Sequence, residues 1–126
     1  MTITLEQVDN FDHWAAERLG WSHHYKDEVW WGRWLGVIPI WKRSVTTLGT
    51  RIYWPSLEAR IANSPIVNLS IMMHEYIHCY DQRRCTWPVF YFTYLFTLPI
   101  FFTIRSYWEI RAYWMDLLLI RWYSGD

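Results

Sequence analysis

The chain has little of what several common classes of small protein require. It contains only two cysteines in 126 residues, Cys79 and Cys85. Two thiols six residues apart do not provide the disulfide framework of a small secreted domain, so we expect both to be reduced. No charged and then apolar leader opens the chain, and we therefore expect no secretion signal and a cytoplasmic location.

An excess of charge of either sign is also lacking. Twelve basic and twelve acidic side chains cancel and are scattered along the chain. Without a basic stripe or an acidic tail, nucleic acid is not an expected partner. No repeat and no Gly/Ser-rich linker divides the sequence, so we predict one domain over 1–126, with a Trp-rich part of unassigned role at 1–45 and a core at 46–126.

Aromatic residues, in contrast, are abundant. The 11 Trp, 9 Tyr and 6 Phe make up 21% of the chain. Each buries a large area, so a small domain can use them for packing alone. They are also favoured at protein interfaces, which makes assembly partners bound through aromatic surfaces the next interpretation.

Two long helices stand out from the periodicity. Apolar residues recur at helical spacing over 5–19, and Gly20 ends the pattern. A second helix is predicted from Ser64 as N-cap and Pro65 at the first helical position, and it runs without a breaker to Arg84. These are the firmest elements of a mostly helical α+β fold.

The remaining elements are shorter. Residues 46–54 are β-rich and predict a strand, bent at Gly49. The stretch "PSLEARIA" predicts a short helix, and "GVIPIW" suggests a short extended piece interrupted by Pro39. A last helix is expected to begin near Ser106.

The run from 85 to 104 carries no charged residue. Its length meets the criterion for a membrane span, and the alternative is a buried hairpin broken at Pro99. Burial against this domain or a partner is the favoured interpretation, and contact with a membrane is the less favoured one.

The motif "HEYIH" places His74 and His78 four residues apart, with Glu75 directly after the first. On a helix the two imidazoles lie one turn apart and can converge on one cation. Glu75 projects about 100° around the helix, beside the ion rather than on it. Zinc hydrolases require two neutral nitrogen ligands and a carboxylate that takes a proton from the attacking water. The alternative is a pair of core histidines satisfied by hydrogen bonds, which leaves the glutamate between them unexplained.

A catalytic zinc has three protein ligands and one open position. The extended form of the motif would need a histidine where this chain has Arg84, so the third ligand is a carboxylate or a distant histidine. Glu109 lies on the next predicted long helix and is the leading carboxylate. The competing carboxylates are Asp81, Glu58 and Asp116.

The order of "HEYIHCYDQRR", "FYFTYLFTLP" and "RSYWEIRAY" resembles small zincin-like metallopeptidases of the glutamate-ligand type, many of them from bacteria and tailed phages. The resemblance covers about residues 50–116, and the first 45 residues do not share it. The positions that match the family pattern are His74, Glu75, His78, Gln82, Tyr94, Leu95, Pro99, Glu109, Ala112 and Tyr113.

The resemblance implies a zincin-like fold, with an active-site helix, an edge strand or small sheet before it and a second ligand-bearing helix. It implies one Zn²⁺ per chain bound by His74, His78 and Glu109, with Glu75 as general base. Larger enzymes of this type carry an Asp four residues after the ligand Glu, where this chain has Tyr113.

Other groups must then support the ligands and the oxyanion. Asp81, Gln82 and Asp116 are candidates for the support of the ligands. Tyr113, Arg105 and Tyr53 are candidates for the group that stabilises the oxyanion.

A zinc metallopeptidase acting on a peptide or protein substrate is therefore the first functional hypothesis. The second is a zinc-stabilised structural component of a larger assembly such as a phage particle, in which case the location is a virion. The third is a membrane-associated zincin.

Overall fold

The computed structural model describes residues 2–35, 37, 39–85, 88–89 and 102–125, and for 35, 40, 41 and 102–106 it describes the backbone alone. These residues are mostly helical with a small three-stranded sheet, which agrees with the α+β class. The elements are α1 (Leu5–Leu19), β1 (Ser22–Tyr25), α2 (Trp30–Leu35), α3 (Pro39–Arg43), β2 (Thr46–Leu48), β3 (Arg51–Trp54), α4 (Leu57–Ala62), α5 (Pro65–Arg84) and α6 (Phe102–Ser124).

The ends of α1 and α5 follow from their capping residues. Thr4 and Gln7 form a reciprocal capping box at the start of α1, and Gly20 ends it with φ at +67°. Pro65 begins α5, and Ser64 before it is extended but makes no side-chain cap bond. The predicted bounds of both helices are confirmed, as is the short helix α4.

The predicted strand over 46–54 is in fact a hairpin. Gly49 adopts φ +64° at the first position of a two-residue turn, where glycine is favoured, and the chain reverses there instead of bending. β1 pairs with β3 in parallel, so the sheet order is β1-β3-β2. The extended piece predicted around Pro39 is also wrong, because Pro39 begins the helix α3.

A polar cluster ties the Trp-rich part of the chain to the rest. His23 on β1 contacts Asp12 of α1 at 2.7 Å and accepts a hydrogen bond of 2.9 Å from the Trp54 indole. Because an acceptor nitrogen carries no proton, this arrangement fixes His23 as the neutral tautomer that donates to Asp12. Arg60 of α4 lies 3.5 Å from the same carboxylate. The cluster therefore joins α1, the sheet and α4.

Helix α5 lies at the centre of the fold. It contacts α1, α6 and β2, so every large element packs on it directly or through the sheet. The buried core around it comprises Ile3, Val8, Ala15, Leu19, Trp21, Ile52, Trp54, Leu69, Met72, Cys79 and Leu119.

Helix α6 begins at Phe102, one turn before the predicted start at Ser106. Most of the apolar run at 85–104 lies outside the described residues, and so do Tyr94, Leu95 and Pro99. No helix in the described part of the chain combines the length and apolarity that crossing a membrane requires.

We predict that Met72→Ala destabilises the protein by about 2–5 kcal/mol, because Met72 is fully buried and its truncation leaves a cavity. Urea unfolding followed by circular dichroism measures the change. Val67→Ala on the same helix is the matched control. Val67 is 43% exposed, so its truncation should cost less than about 0.5 kcal/mol. Equal losses in the two variants would contradict the central position of α5.

Candidate metal centre

The two histidines of α5 and one glutamate of α6 converge at the contact between these helices. The Nε2 atoms of His74 and His78 lie 3.2 Å apart. Oε2 of Glu109 lies 3.5 Å from Nε2 of His74 and 3.6 Å from Nε2 of His78. These three residues are the one group of potential metal ligands found among the described residues.

The triangle formed by these three atoms has the size that a tetrahedral zinc site needs. Zinc bonds to imidazole nitrogen and carboxylate oxygen are about 2.0–2.2 Å long. In a tetrahedron the ligand atoms are then separated by about 3.3–3.6 Å. The observed separations of 3.2, 3.5 and 3.6 Å fall at or close to this range. The residues present therefore fit the ion, with a fourth position left over.

Asp116 orients the first of the two imidazoles. Its Oδ2 lies 2.9 Å from Nδ1 of His74, and its Oδ1 accepts a hydrogen bond of 3.1 Å from Ser70. An ionised carboxylate can only accept, so Nδ1 of His74 carries the proton and donates it. Nε2 can then present its lone pair towards His78 and Glu109, as in the carboxylate–histidine pairs of zinc proteins.

The local charge favours a cation at this point. Burial opposes a charged imidazolium at His74, but the hydrogen bonds to Glu109 and Asp116 outweigh it and raise the pKa of His74 to about 9. Two carboxylates therefore surround a position that attracts positive charge. Without a metal ion a proton supplies that charge, and a divalent cation can replace it.

Glu75 projects from α5 towards the sheet rather than towards α6. It is buried, and its carboxylate accepts a short hydrogen bond from the Thr47 hydroxyl on β2. Burial raises the pKa of the Glu75 carboxyl, an effect that His78 and the Thr47 hydroxyl only partly offset. A carboxylate with a raised pKa is a better proton acceptor near neutral pH than an ordinary one.

A cavity of about 240 Å³ opens beside the first two residues of the motif, His74 and Glu75. Its volume is enough for several water molecules. A separate cavity of about 300 Å³ lies between α1, α5 and α6, but its walls are apolar apart from Gln7 and it contains no titratable group. The residues that line the cavity beside the motif are Arg43, Val45, Ser70, Ile71, His74, Glu75 and Asp116.

The predicted supporting residues have different positions. Asp81 is buried and forms an ion pair with Arg111 at 3.1 Å, so it joins α5 to α6 away from the imidazoles. Gln82 is bonded to the backbone of β2 and not to a histidine. Of the three residues predicted to support the ligands, Asp116 is the one with a described hydrogen bond to an imidazole of the site.

The three candidates for the oxyanion donor are also separated. The ring of Tyr113 lies edge-on to His74 with 5.0 Å between centroids, and the residue is largely exposed. Tyr53 is buried on β3 against Trp31. The side chain of Arg105 lies outside the described residues.

Two residues near the site were missed by the sequence analysis. Thr47 contacts Glu75, and Lys26 is buried with its amine donating to Thr46 at 2.9 Å. Burial lowers the pKa of Lys26 to about 8, although the charge of Glu75 partly counteracts the shift. No local pattern in the sequence marks either residue, because both contacts join segments that are distant along the chain.

The two cysteines are free, as expected. Burial, with a further contribution from the charge of Glu75, raises the pKa of the Cys79 thiol to about 12. Cys79 is therefore a protonated core residue at neutral pH.

Comparison of the chain with protein-family models, with curated proteins and with solved structures gives no match. The geometry of the site is therefore the basis on which a function can be proposed.

We predict that Glu109→Ala weakens zinc binding far more than Asp116→Ala. The first change removes a ligand atom, whereas the second leaves all three and should cost about 10–100-fold in affinity through the orientation of His74. Competition with a chromophoric chelator measures both constants. Glu58→Ala, on α4, is the control and should bind zinc as the wild type does. A larger loss in Asp116→Ala than in Glu109→Ala would contradict the assignment of the third ligand.

Proposed function

We propose that the chain is a zinc-dependent peptide-bond hydrolase with a zincin-like arrangement of its site. The observation that carries the proposal is the convergence of His74, His78 and Glu109 at the separations of a tetrahedral site, next to a cavity lined by Glu75. The helix order also supports it, since the motif lies on α5 and the third ligand on α6, the next long helix described.

His74, His78 and Glu109 would hold one Zn²⁺ per chain. A zinc ion in such a site polarises the carbonyl of the scissile bond and makes water more acidic. The carboxylate of Asp116 holds the ring of His74 in the tautomer that presents Nε2. These four side chains come from two packed helices, which keeps the ligand atoms in fixed relative positions.

Glu75 is the general base in this mechanism. It takes a proton from the attacking water and later delivers it to the leaving amine. The Thr47 hydroxyl fixes the orientation of the Glu75 carboxylate, and burial raises its pKa towards the range in which it accepts and returns a proton. The cavity beside Glu75 provides room for water and for the substrate.

The substrate would bind in the cavity beside His74 and Glu75 rather than along β2. The outer side of β2 packs on α5, and the Gln82 side chain already bonds to the Thr47 carbonyl and the Gly49 amide. Of the two oxyanion candidates whose side chains the structure describes, Tyr113 is the better placed, because its ring contacts His74.

A structural role in a larger assembly is the second candidate. The observation that favours it is the exposed apolar face of α6, which a free hydrolase does not need. The large apolar residues of α6 that are more than half exposed are Tyr107, Ile110, Tyr113, Trp114, Leu117, Leu118, Ile120 and Trp122.

Replacement of Glu75 by glutamine separates the two candidates. Glu75→Gln preserves size and can still bond to Thr47, but glutamine is a poor base. We expect the variant to retain one zinc per chain while hydrolysis of an unfolded protein substrate falls by about 10²–10⁴-fold. Metal analysis and the release of new amino termini measure the two properties.

The matched control for this experiment is Glu17→Gln, on the exposed surface of α1. It should change neither zinc content nor hydrolysis. Wild type that binds zinc but hydrolyses nothing would favour the structural role, and equal activity of wild type and Glu75→Gln would remove Glu75 from the mechanism.

A further inference from the structure

The described residues that line the cavity beside the motif include one with a permanent positive charge, Arg43. Arg43 is the last residue of α3, and its side chain is exposed at the mouth of the cavity. Glu75, in contrast, is buried and bonded to Thr47 on the sheet. The cavity therefore has a buried acidic end and an exposed basic end. The mechanism proposed above makes no use of Arg43.

The guanidinium of Arg43 is available to bind an anion from outside the chain. It forms no hydrogen bond or ion pair with any residue that the structure describes. Arg60 and Arg111, by comparison, each form an ion pair with an aspartate. A guanidinium binds a carboxylate through two parallel hydrogen bonds, and a carboxylate is the anionic group that peptides carry. Arg43 therefore fits a carboxylate of the substrate.

The acidic groups of the site do not exclude such a carboxylate. Glu109 and Asp116 each carry one negative charge, and together they match the two positive charges of a bound zinc ion. Glu75 is the other acidic side chain of the described cavity wall, and it lies at the buried end. A substrate carboxylate at the mouth therefore lies closer to the charge of Arg43 than to that of Glu75.

The backbone next to Arg43 is held in place by Lys26. The amine of Lys26 is buried, and it donates hydrogen bonds to the carbonyl of Ser44 and to the hydroxyl of Thr46. Lys26 directly follows β1, so these bonds join the segment after α3 to the sheet. They flank Val45, whose side chain lines the same cavity. Arg43 thus extends from a backbone whose position relative to the cavity is fixed.

The size of the cavity limits the distance between the cleaved bond and the carboxylate. A compact space of about 240 Å³ is about 8 Å across, and an extended peptide advances about 3.3 Å per residue. The carboxylate that reaches Arg43 therefore lies within about two residues of the cleaved bond. A peptide can supply it from its carboxyl terminus or from the side chain of Asp or Glu.

We infer that Arg43 selects substrates that present a carboxylate within about two residues of the cleaved bond. The substrate class is then peptides with an acidic side chain or a free carboxyl terminus near that bond. The inference rests on the proposed hydrolase function and adds to it a residue that determines specificity. Arg43 has no part in the chemical step.

The test uses the full-length protein loaded with one zinc per chain and pairs of short acetylated peptides. In one pair an internal Glu is exchanged for Gln, and in the other a free carboxyl terminus is exchanged for an amide. Mass spectrometry measures the cleavage rate at each bond. For wild type we expect the carboxylate member of at least one pair to be cleaved about tenfold faster near the exchanged group. The pair that shows the difference identifies the source of the carboxylate.

Arg43→Gln removes the charge and keeps a polar side chain. We expect the preference for the carboxylate member to disappear in this variant, and Arg43→Glu should reverse it. Lys42→Gln is the matched control, since it removes the same charge from the adjacent residue, which is exposed and does not line the cavity. It should keep the preference of wild type. A loss of stability alone would lower both rates of a pair together and would leave their ratio unchanged.

A binding measurement gives a second readout that does not depend on cleavage. Zinc-loaded Glu75→Gln should bind the peptides without hydrolysing them, and fluorescence anisotropy of labelled peptides measures the affinity. Adding Arg43→Gln to this variant should weaken the binding of the preferred carboxylate peptide about tenfold. The binding of its neutral partner should not change.

The outcomes separate the two claims. If zinc-loaded wild type cleaves no peptide, the proposed function fails and this inference fails with it. If wild type cleaves both members of each pair equally, or if Arg43→Gln keeps the preference, the inference is wrong while the hydrolase proposal stands. An equal loss of preference in Lys42→Gln would also overturn it, because the effect would then come from general surface charge.

Discussion

The contact of Glu109 with His74 and His78 is the interaction on which the arrangement of α5 and α6 depends. Charged and polar groups removed from water must find partners, or the fold loses several kcal/mol for each. Here one carboxylate faces two imidazoles at 3.5 and 3.6 Å, and a second carboxylate, that of Asp116, supports His74 from behind. A small rotation of α6 would separate both carboxylates from α5. These polar contacts, together with apolar packing, therefore fix the relative positions of α5 and α6.

Polar contacts also fix the opposite face of α5, which packs against the sheet. Glu75, Cys79 and Gln82 follow one another at helical spacing on the face towards β2, whereas Ser70, His74 and His78 face α6. Thr47 holds Glu75 through its hydroxyl and is itself held by Gln82 through its carbonyl. Glu75, the proposed base, and the candidate ligands His74 and His78 thus lie on two stripes of a single helix, so their relative geometry depends on α5, whereas the position of Glu109 depends on α6 as well.

Much of the helical framework could be predicted from the sequence because its determinants are local. The capping box of α1, the glycine after it and Pro65 at the start of α5 each act within a few residues. The relative positions of His74, Glu75 and His78 are also determined locally, since helical spacing alone brings the two imidazoles together. Among several carboxylates, only the order of the helices and the resemblance indicate Glu109 as the candidate third ligand.

The remaining features depend on contacts between distant segments. The rotation of α6 about its axis determines which carboxylate bonds to Nδ1 of His74. The sequence does not specify this rotation, because His74 and Asp116 are 42 residues apart. β1 has the sequence "SHHY", without the alternation that marks a strand, and forms because β3 offers a parallel edge. The sequence predicts a start of the last helix near Ser106, yet α6 begins at Phe102, because a polar residue can also continue a helix whose apolar residues precede it.

X-ray absorption spectroscopy at the zinc edge, on protein carrying one zinc per chain, shows whether two imidazoles and one carboxylate hold the ion. We expect a first shell of nitrogen and oxygen at about 2.0–2.2 Å, with the outer-ring scattering of two imidazoles. This scattering should fall to that of one imidazole in His78→Ala. A sulfur shell at about 2.3 Å, or a spectrum without imidazole scattering, would contradict this ligand set.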